Sequence, residues 1–501
     1  MRIKNSKRNL FSGSLYLLIN TLLPFVNRTI IIYTLGSEFT GLSGLFNSIL
    51  QVLSLAEFGF SIVIVYYLYE PLAQNDLNSI KQIMLWMRRV YHVVGTVIIC
   101  GGLMVTPFLK SLILGSAPDG INIFILFLIL LFNSGIGYFL YAYQGVLLVA
   151  DQRNDIINNI NSAVKIGVNL FQFLALLFTK NYYLYVLVLI AGTVFSNLSI
   201  HVAVNKRYPY LKGLQAKGNV LLPKSMKKEL MGMIINRLSN VSRNAFDNMV
   251  ISSTLGLVAT AIYGNYYLIY SVVMGITGVF CGSMQASVGN SIATRSEKEN
   301  YDNLLDFSLL YSWIVGWCTV SMACLYQPFM KLWVGEDLML SEFNMLLFVV
   351  YFYFINMTHM RNQYILGNAF WWKLKWAYLA EAFGNLVLNI LLGKLWGISG
   401  VLIATIITIF LCNYLMCNKV LFNTYFKDES KWEFYKQQFY YLLVTALVCV
   451  STYVICKNID NIILRGMICI IFPNILFMLF YRPSSRWASS TSIVKRIIKV
   501  R

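Results

Sequence analysis

Eight ionisable side chains lie inside long apolar stretches, where they could bind a charged ligand or carry a proton. An ionised side chain at the centre of a bilayer costs about 2.5–3.5 kcal/mol, so such residues should face the protein interior or a water-filled cavity. Five are basic and three are acidic: Arg28, Lys165, Arg237, Arg243, Arg361, Glu57, Asp247 and Glu381. The basic excess predicts a cavity that attracts an anion.

The basic side chains also indicate which anion. A planar guanidinium can bind two phosphate oxygens at once, so we predict a phosphate-bearing ligand. Arg243 lies about 14 residues into its stretch, or roughly 21 Å at 1.5 Å per residue, which is near mid-membrane. The predicted substrate-binding cations are Arg28, Lys165, Arg237 and Arg243.

The acidic side chains have two readings. Glu57, Asp247 and Glu381 could carry a coupling proton or cation, or they could form structural ion pairs. Neighbouring asparagines recur three or four residues from the charges and so share a helical face with them. Four of these are predicted to line the cavity: Asn240, Asn244, Asn385 and Asn389.

Structural roles for the same residues stay open at this point. Residues four apart on a helix can pair, long basic side chains near a helix end can extend to the membrane surface, and asparagines can join helices. The residues concerned are Arg243 with Asp247, Arg28 with Glu57, and Arg237 and Arg361 near inner helix ends.

The elements that would position these residues are transmembrane helices. Of 501 residues, 58% are hydrophobic and 12% are charged, which excludes an ordinary soluble protein. Apolar runs of about 20 residues predict membrane-spanning helices. Fourteen are predicted: 9–34, 41–68, 88–110, 121–149, 155–178, 182–204, 229–254, 257–291, 303–326, 343–367, 374–393, 396–418, 434–456 and 461–481.

The basic residues predict the orientation of these helices. With the N-terminus inside, 29 of the 40 Lys and Arg residues fall in cytoplasmic segments and six in outer loops. This bias follows the positive-inside rule and places both termini in the cytoplasm. The net charge of +19 is therefore interpreted as topology, and nucleic acid is not an expected partner.

An internal repeat predicts the domain organisation. Shifting the sequence by 220 residues places 27–50 over 247–270, and the Thr-Leu-Gly at 34–36 falls on the Thr-Leu-Gly at 254–256. Six spans separate the copies, so the repeat is parallel, as in transporters with two similar lobes. The expected division is a six-helix lobe at 1–204, a basic linker at 205–228, a second lobe at 229–425, and two extra helices with a basic tail at 426–501.

The nine cysteines are interpreted as small buried apolar residues. None forms a Cys-x-x-Cys pair, and the three histidines are scattered. The sequence therefore predicts no metal site, no disulfide framework and no cofactor.

Four segments resemble a known family of membrane transporters. GLSGLFNSILQVLSLAEFGF (41–60) and LYEPLAQND (68–76) look like the second span and the loop that follows it. DNMVISSTLGLVATAIYGNYYLIYSVV (247–273) looks like the start of the second lobe, and NLVLNILLGKLWGISGVLIATIIT (385–408) resembles a later hairpin. The chain thus resembles polysaccharide-unit flippases of the multidrug/oligosaccharidyl-lipid/polysaccharide exporter superfamily.

The resemblance implies an all-α protein with two six-helix lobes and two C-terminal helices. It further implies a flippase, not an enzyme, in the bacterial cell membrane. Such a flippase moves an undecaprenyl-pyrophosphate-linked oligosaccharide to the outer leaflet by alternating access, for capsule, exopolysaccharide or teichoic acid assembly. Polysaccharide polymerases and glycosyltransferases of the same pathway would be its partners.

Two other functions were weighed. A multidrug exporter of the same superfamily is disfavoured because a basic cavity repels cations. A membrane-embedded polysaccharide polymerase or glycosyltransferase is disfavoured because no loop carries a suitable cluster of catalytic carboxylates.

Overall fold

The structure is a computed structural model that describes residues 2–57, 60–211 and 224–490. Much of the predicted basic linker and the end of the basic tail lie outside the described residues. Within the described ranges the secondary structure is helical, with no strand. The all-α polytopic class predicted from the sequence is confirmed.

The chain divides into two compact units, Met1–Ala261 and Ile262–Arg501. Nine helices of the described chain begin and end within the first unit. They are α1 (Arg2–Thr34), α2 (Ser37–Leu53), α3 (Phe60–Gln74), α4 (Leu77–Val105), α5 (Ile123–Phe139), α6 (Gly145–Ala150), α7 (Asn154–Thr179), α8 (Tyr182–Arg207) and α9 (Lys224–Leu255).

The next helix begins just before the unit boundary, and the remaining helices lie within the second unit. They are α10 (Leu257–Thr294), α11 (Glu297–Val334), α12 (Glu342–Met357), α13 (His359–Gly367), α14 (Lys375–Trp396), α15 (Ile398–Thr408), α16 (Cys417–Thr424), α17 (Lys431–Lys457) and α18 (Ile462–Tyr481). A π-helical segment, Ile409–Met416, joins α15 to α16.

All fourteen predicted spans are helical, but three of them are not simple apolar rods. Eleven helices of the described chain are long and apolar enough to cross a membrane, or twelve if α5 and the residues through α6, bent by 50°, count as one span. The predicted second span is divided between α2 and α3 by a 3-10 turn, Ser54–Glu57. The seventh lies in α9, whose apolar pattern is interrupted by Asn, Ser and Arg.

Backbone geometry supports the internal repeat. Gly36 and Gly256, 220 residues apart, both have positive φ angles, of 108° and 88°, where a helix ends and the next begins. The amide of each donates to the carbonyl five residues before it, Ile31 and Ile251, at 3.1 and 3.2 Å. Glycine adopts this left-handed region without the steric penalty of a side chain.

A second pair of turns follows the same offset. Gly115 and Gly335 have φ angles of 89° and 82°. Each lies in the connection that leads to the next long helix, α5 or α12. The sequence comparison did not reveal this pair. The lobe boundaries expected from the repeat remain a prediction, because α9 packs along α2 inside the first unit.

Candidate functional site

A row of polar contacts joins α1 and α7 in the first unit. Asn9 Oδ1 accepts from the amide of Asp155 at 2.9 Å, Lys165 Nζ donates to Asn20 Oδ1, and Asn27 donates to Gln172 at 3.5 Å. The paired residues are 146, 145 and 145 positions apart, so the two helices run in the same direction. This agrees with the predicted topology, in which both spans cross from the inside to the outside.

Lys165 lies in the middle of this row. It is half-buried, and its ammonium group meets the neutral Asn20 amide on α1. The backbone carbonyl of Lys165 accepts from Asn169 at 2.6 Å. Lys165 lies 14 residues before the last residue of α7, or roughly 21 Å from the outer helix end. A lysine near mid-membrane beside a neutral amide retains a positive charge for an anionic ligand.

Arg28 lies higher on α1. Its Nη2 donates to the carbonyl of Ala261 at 2.8 Å, and its charge interacts with the hydroxyl of Tyr182. Tyr182 is buried and stacks on Tyr185, with ring centroids 5.4 Å apart. Arg28 lies about 12 Å along α1 from Asn20, at 1.5 Å per residue. Arg28 and Lys165 therefore lie on adjoining helices, at two depths.

The two remaining predicted cations lie on α9, which packs along α2. Arg243 is 7% exposed and donates to Asn240 Oδ1 at 3.0 Å, while Arg237 is half-buried. Asn240 is exposed and Asn244 is partly exposed, so both can contact a ligand that approaches α9. All four predicted substrate-binding cations thus belong to the first unit, on α1, α7 and α9.

Packing of α9 on α2 also buries acidic and amide groups. Asp247 is completely buried, one residue before Asn248, whose amide donates to Ser48 Oγ at 2.9 Å. A Cβ added to Gly41 on α2 would lie 2.0 Å from the carbonyl oxygen of Leu257. This close approach fixes α2 against the chain that follows α9.

Glu57 lies at the break between α2 and α3. Its carboxylate accepts hydrogen bonds from the hydroxyls of Tyr138 and, at 3.4 Å, Tyr91. The tyrosines come from α5 and α4 and pack with ring centroids 5.7 Å apart. Glu57 is therefore held by tyrosine hydroxyls, and Arg28 by a backbone carbonyl.

Arg361 of the second unit has a different environment. It is 1% exposed, which corrects the reading that it extends to the membrane surface. Its guanidinium donates to Asn413 O at 2.6 Å, Asn413 Oδ1 at 2.8 Å and Asn418 Oδ1 at 3.2 Å. Asn413 in turn donates to Glu381 at 2.9 Å. Asn413 therefore bridges the buried charges of α13 and α14.

The π-helical turn makes this bridge possible. It carries both Asn413 and the adjacent carbonyl of Tyr414, which also faces Arg361, at 3.4 Å. A π-helical turn shifts the backbone register and is often found at functional positions. The sequence offered no signal for it, because helical periodicity does not distinguish a π turn from an α turn.

The predicted lining residues of α14 are fully buried. Asn385 donates to Thr405 Oγ1 at 2.9 Å, and Asn389 donates to Asn385 at 3.2 Å. These bonds join α14 to α15, the role of interhelical hydrogen bonding that the sequence left open. The four predicted lining asparagines are thus divided between the units, with Asn240 and Asn244 in the first and the α14 pair in the second.

Comparison with known proteins identifies the fold. No protein-family model and no curated protein sequence matches the chain. A solved structure of the lipid II flippase MurJ, in an inward closed conformation, is 15% identical with a TM-score of 0.68, over 96% of this chain and 99% of that one.

Multidrug transporters of the MATE family are similar over less of the chain. An inward-facing MATE structure is 13% identical with a TM-score of 0.59, over 82% of this chain and 96% of that one. A MATE structure in a bent conformation is 13% identical with a TM-score of 0.55, over 85% and 97%. The chain therefore has the fold of the superfamily that it resembles in sequence.

Proposed function

We propose that this protein moves a pyrophosphate-linked, lipid-anchored oligosaccharide across a bacterial cell membrane. The observation that carries the proposal is the arrangement of Arg28, Lys165, Arg237 and Arg243 on three helices of one unit. Cations at this depth are costly unless they serve a ligand or a structural bond. A pyrophosphate, with several oxygens, can contact more than one of them.

In the proposed transport step the polyprenyl tail stays in the lipid and the head group passes along the polar side chains. Lys165 binds the phosphate near mid-membrane, and Arg28 takes part closer to the outer end. Asn240 and Asn244 on α9 are suited to sugar hydroxyls, because an amide both donates and accepts hydrogen bonds. Alternating access between two similar lobes moves the head group from the inner to the outer leaflet.

The lipid-linked substrate is favoured over a drug for two reasons. Its head group is anionic, whereas a cationic drug would be repelled by the four basic residues. The lipid II flippase also matches this chain over 96% of its length, compared with 82% for the inward-facing drug transporter. Glycosyltransferases and a polymerase would supply and consume such a substrate.

The proposal is tested by reconstituting the full chain in liposomes. A fluorescent polyprenyl-pyrophosphate oligosaccharide is placed in both leaflets, and exposure of the sugar to an added glycosidase is followed over time. We expect wild-type protein to expose the protected half of the lipid, and Arg243→Ala to slow this exposure. A wild-type protein without flipping activity that instead exports a cationic drug would overturn the function.

The site assignment has its own control. Lys165→Gln and Lys180→Gln make the same chemical change, one in the α1–α7 row and the other at the exposed end of α7. The first should slow flipping and the second should not. Equal rates in both variants and wild type would overturn the site and leave the function standing.

A further inference from the structure

Three cysteines from three helices meet in the second unit. Cys324 of α11, Cys456 of α17 and Cys469 of α18 have Sγ atoms that all lie within 4.8 Å of one another. The three residues are 1–2% exposed. Since 131 residues separate the first two in sequence, no spacing pattern could have indicated the cluster.

The helices that carry the cysteines are held together independently of the thiols. Trp317 of α11 donates to the carbonyl of Cys469 at 2.8 Å, and Trp313 donates to Asn474 of α18 at 2.7 Å. The thiols are also part of an apolar cluster that includes Val320. The three sulfur positions are therefore set by a packed framework, as a preformed ligand site requires.

We propose that Cys324, Cys456 and Cys469 form a binding site for a soft monovalent metal ion, copper(I). Thiolate ligands select soft ions such as copper(I). With metal–sulfur bonds of about 2.3 Å, three sulfurs in a trigonal plane lie about 4 Å apart. The observed separations reach this geometry with shifts of less than an ångström.

The ligand number separates copper(I) from zinc. Structural zinc sites are almost always four-coordinate and tetrahedral. The cluster offers three sulfur ligands, and within the described chain no fourth Cys, His, Asp or Glu belongs to the same group. A trigonal ion satisfied by three thiolates therefore fits this cluster better than zinc does.

A nearby cation reduces the electrostatic cost. Three thiolates and one copper(I) ion carry two negative charges, which are unfavourable in an apolar surrounding. Arg465 lies one turn before Cys469, and its Nη1 is 3.5 Å from the carbonyl of Cys324. On binding, each thiol gives its proton to water and copper stays monovalent, so no oxidant or reductant takes part.

Titration of the full chain in detergent with copper(I) tests the site. The protein is reduced, cleared of metals and titrated against a copper(I) chelator that reports the free ion. We expect one copper(I) per chain to be held against the chelator. X-ray absorption should show three sulfur neighbours at about 2.3 Å. Binding of zinc(II) in place of copper(I), or no binding, would overturn the proposal.

Matched substitutions locate the ion. Cys324→Ser and Cys469→Ser should weaken binding by at least about tenfold, the loss that even outer partners of a metal ligand cause. Cys318→Ser, in a buried cysteine two turns away on α11, should leave it unchanged. If serine disturbs folding, as judged by gel filtration, Cys324→Ala replaces it. Equal losses in Cys318→Ser would contradict the assignment.

Discussion

Two basic residues that looked alike in the sequence, Lys165 and Arg361, have opposite environments. Lys165 is half-buried beside the neutral amide of Asn20, on the face that joins α1 and α7. Arg361 is 1% exposed and is surrounded by oxygens of Asn413, Tyr414 and Asn418. An intramembrane cation can thus serve a ligand or hold helices together, and its partners decide which.

The largest effect should come from removing the enclosed cation. Arg361→Ala leaves Asn413 and Glu381 buried without the positive charge. Breaking a buried charge network in this way destabilises a protein by about 3–5 kcal/mol. We expect a marked fall in the thermal unfolding temperature of purified protein. Lys373→Ala, a change at a neighbouring lysine that meets the ring of Phe370, is the control and should have little effect.

The accessible cation should behave in the opposite way. Lys165→Gln should weaken binding of a lipid-linked pyrophosphate by roughly tenfold to a hundredfold, since a hydrogen bond to a charged group contributes about 1.5–3 kcal/mol. Its unfolding temperature should stay near that of wild type, because Gln can still donate to Asn20. Binding is measured by native mass spectrometry at several lipid concentrations. A stability loss as large as that of Arg361→Ala would remove the distinction between the two sites.

The close approach at Gly41 tests how α2 supports the first unit. A Cβ at this position would overlap the carbonyl of Leu257, so Gly41→Ala forces a backbone shift. Overpacking of this kind typically costs about 1–3 kcal/mol. Gly44→Ala is the matched control on the same helix, because its Cβ would meet Thr260 Cγ2 at 3.8 Å. Equal unfolding temperatures for the two variants would show that α2 is not held at this point.

The smallest effect is expected outside the spans, where a clamp holds the segment after α18. Arg486 donates to Asp302 at 2.7 Å and to Glu433 at 3.1 Å, which ties this segment to α11 and α17. Partly exposed ion pairs contribute about 1 kcal/mol or less. Arg486→Gln should therefore lower the unfolding temperature slightly, and the difference should shrink in high salt. A salt-independent effect would contradict an electrostatic clamp.

The helical architecture was predictable because each span is written in local composition. All fourteen predicted segments are helical, and the Thr-Leu-Gly repeat marked two turns that share a positive φ angle at Gly36 and Gly256. The candidate site was predictable in part, since asparagine spacing identified the polar faces of α7 and α9.

What the sequence could not indicate depends on contacts between distant residues. The bridge from Arg361 to Glu381 passes through Asn413 in a π-helical turn, and the tyrosines around Glu57 come from two other helices. The three cysteines likewise come from α11, α17 and α18. In each case the residue types were visible, but their meeting point is set by packing.

The central claim, that cations of the first unit bind a pyrophosphate head group during transport, is tested most directly by varying that group. Flipping rates are measured in liposomes for three lipids that share one sugar and one polyprenyl tail but are joined by a pyrophosphate, a monophosphate or a neutral ether. We predict the fastest flipping for the pyrophosphate lipid and loss of this preference in Lys165→Gln. Equal wild-type rates for all three lipids would contradict the account.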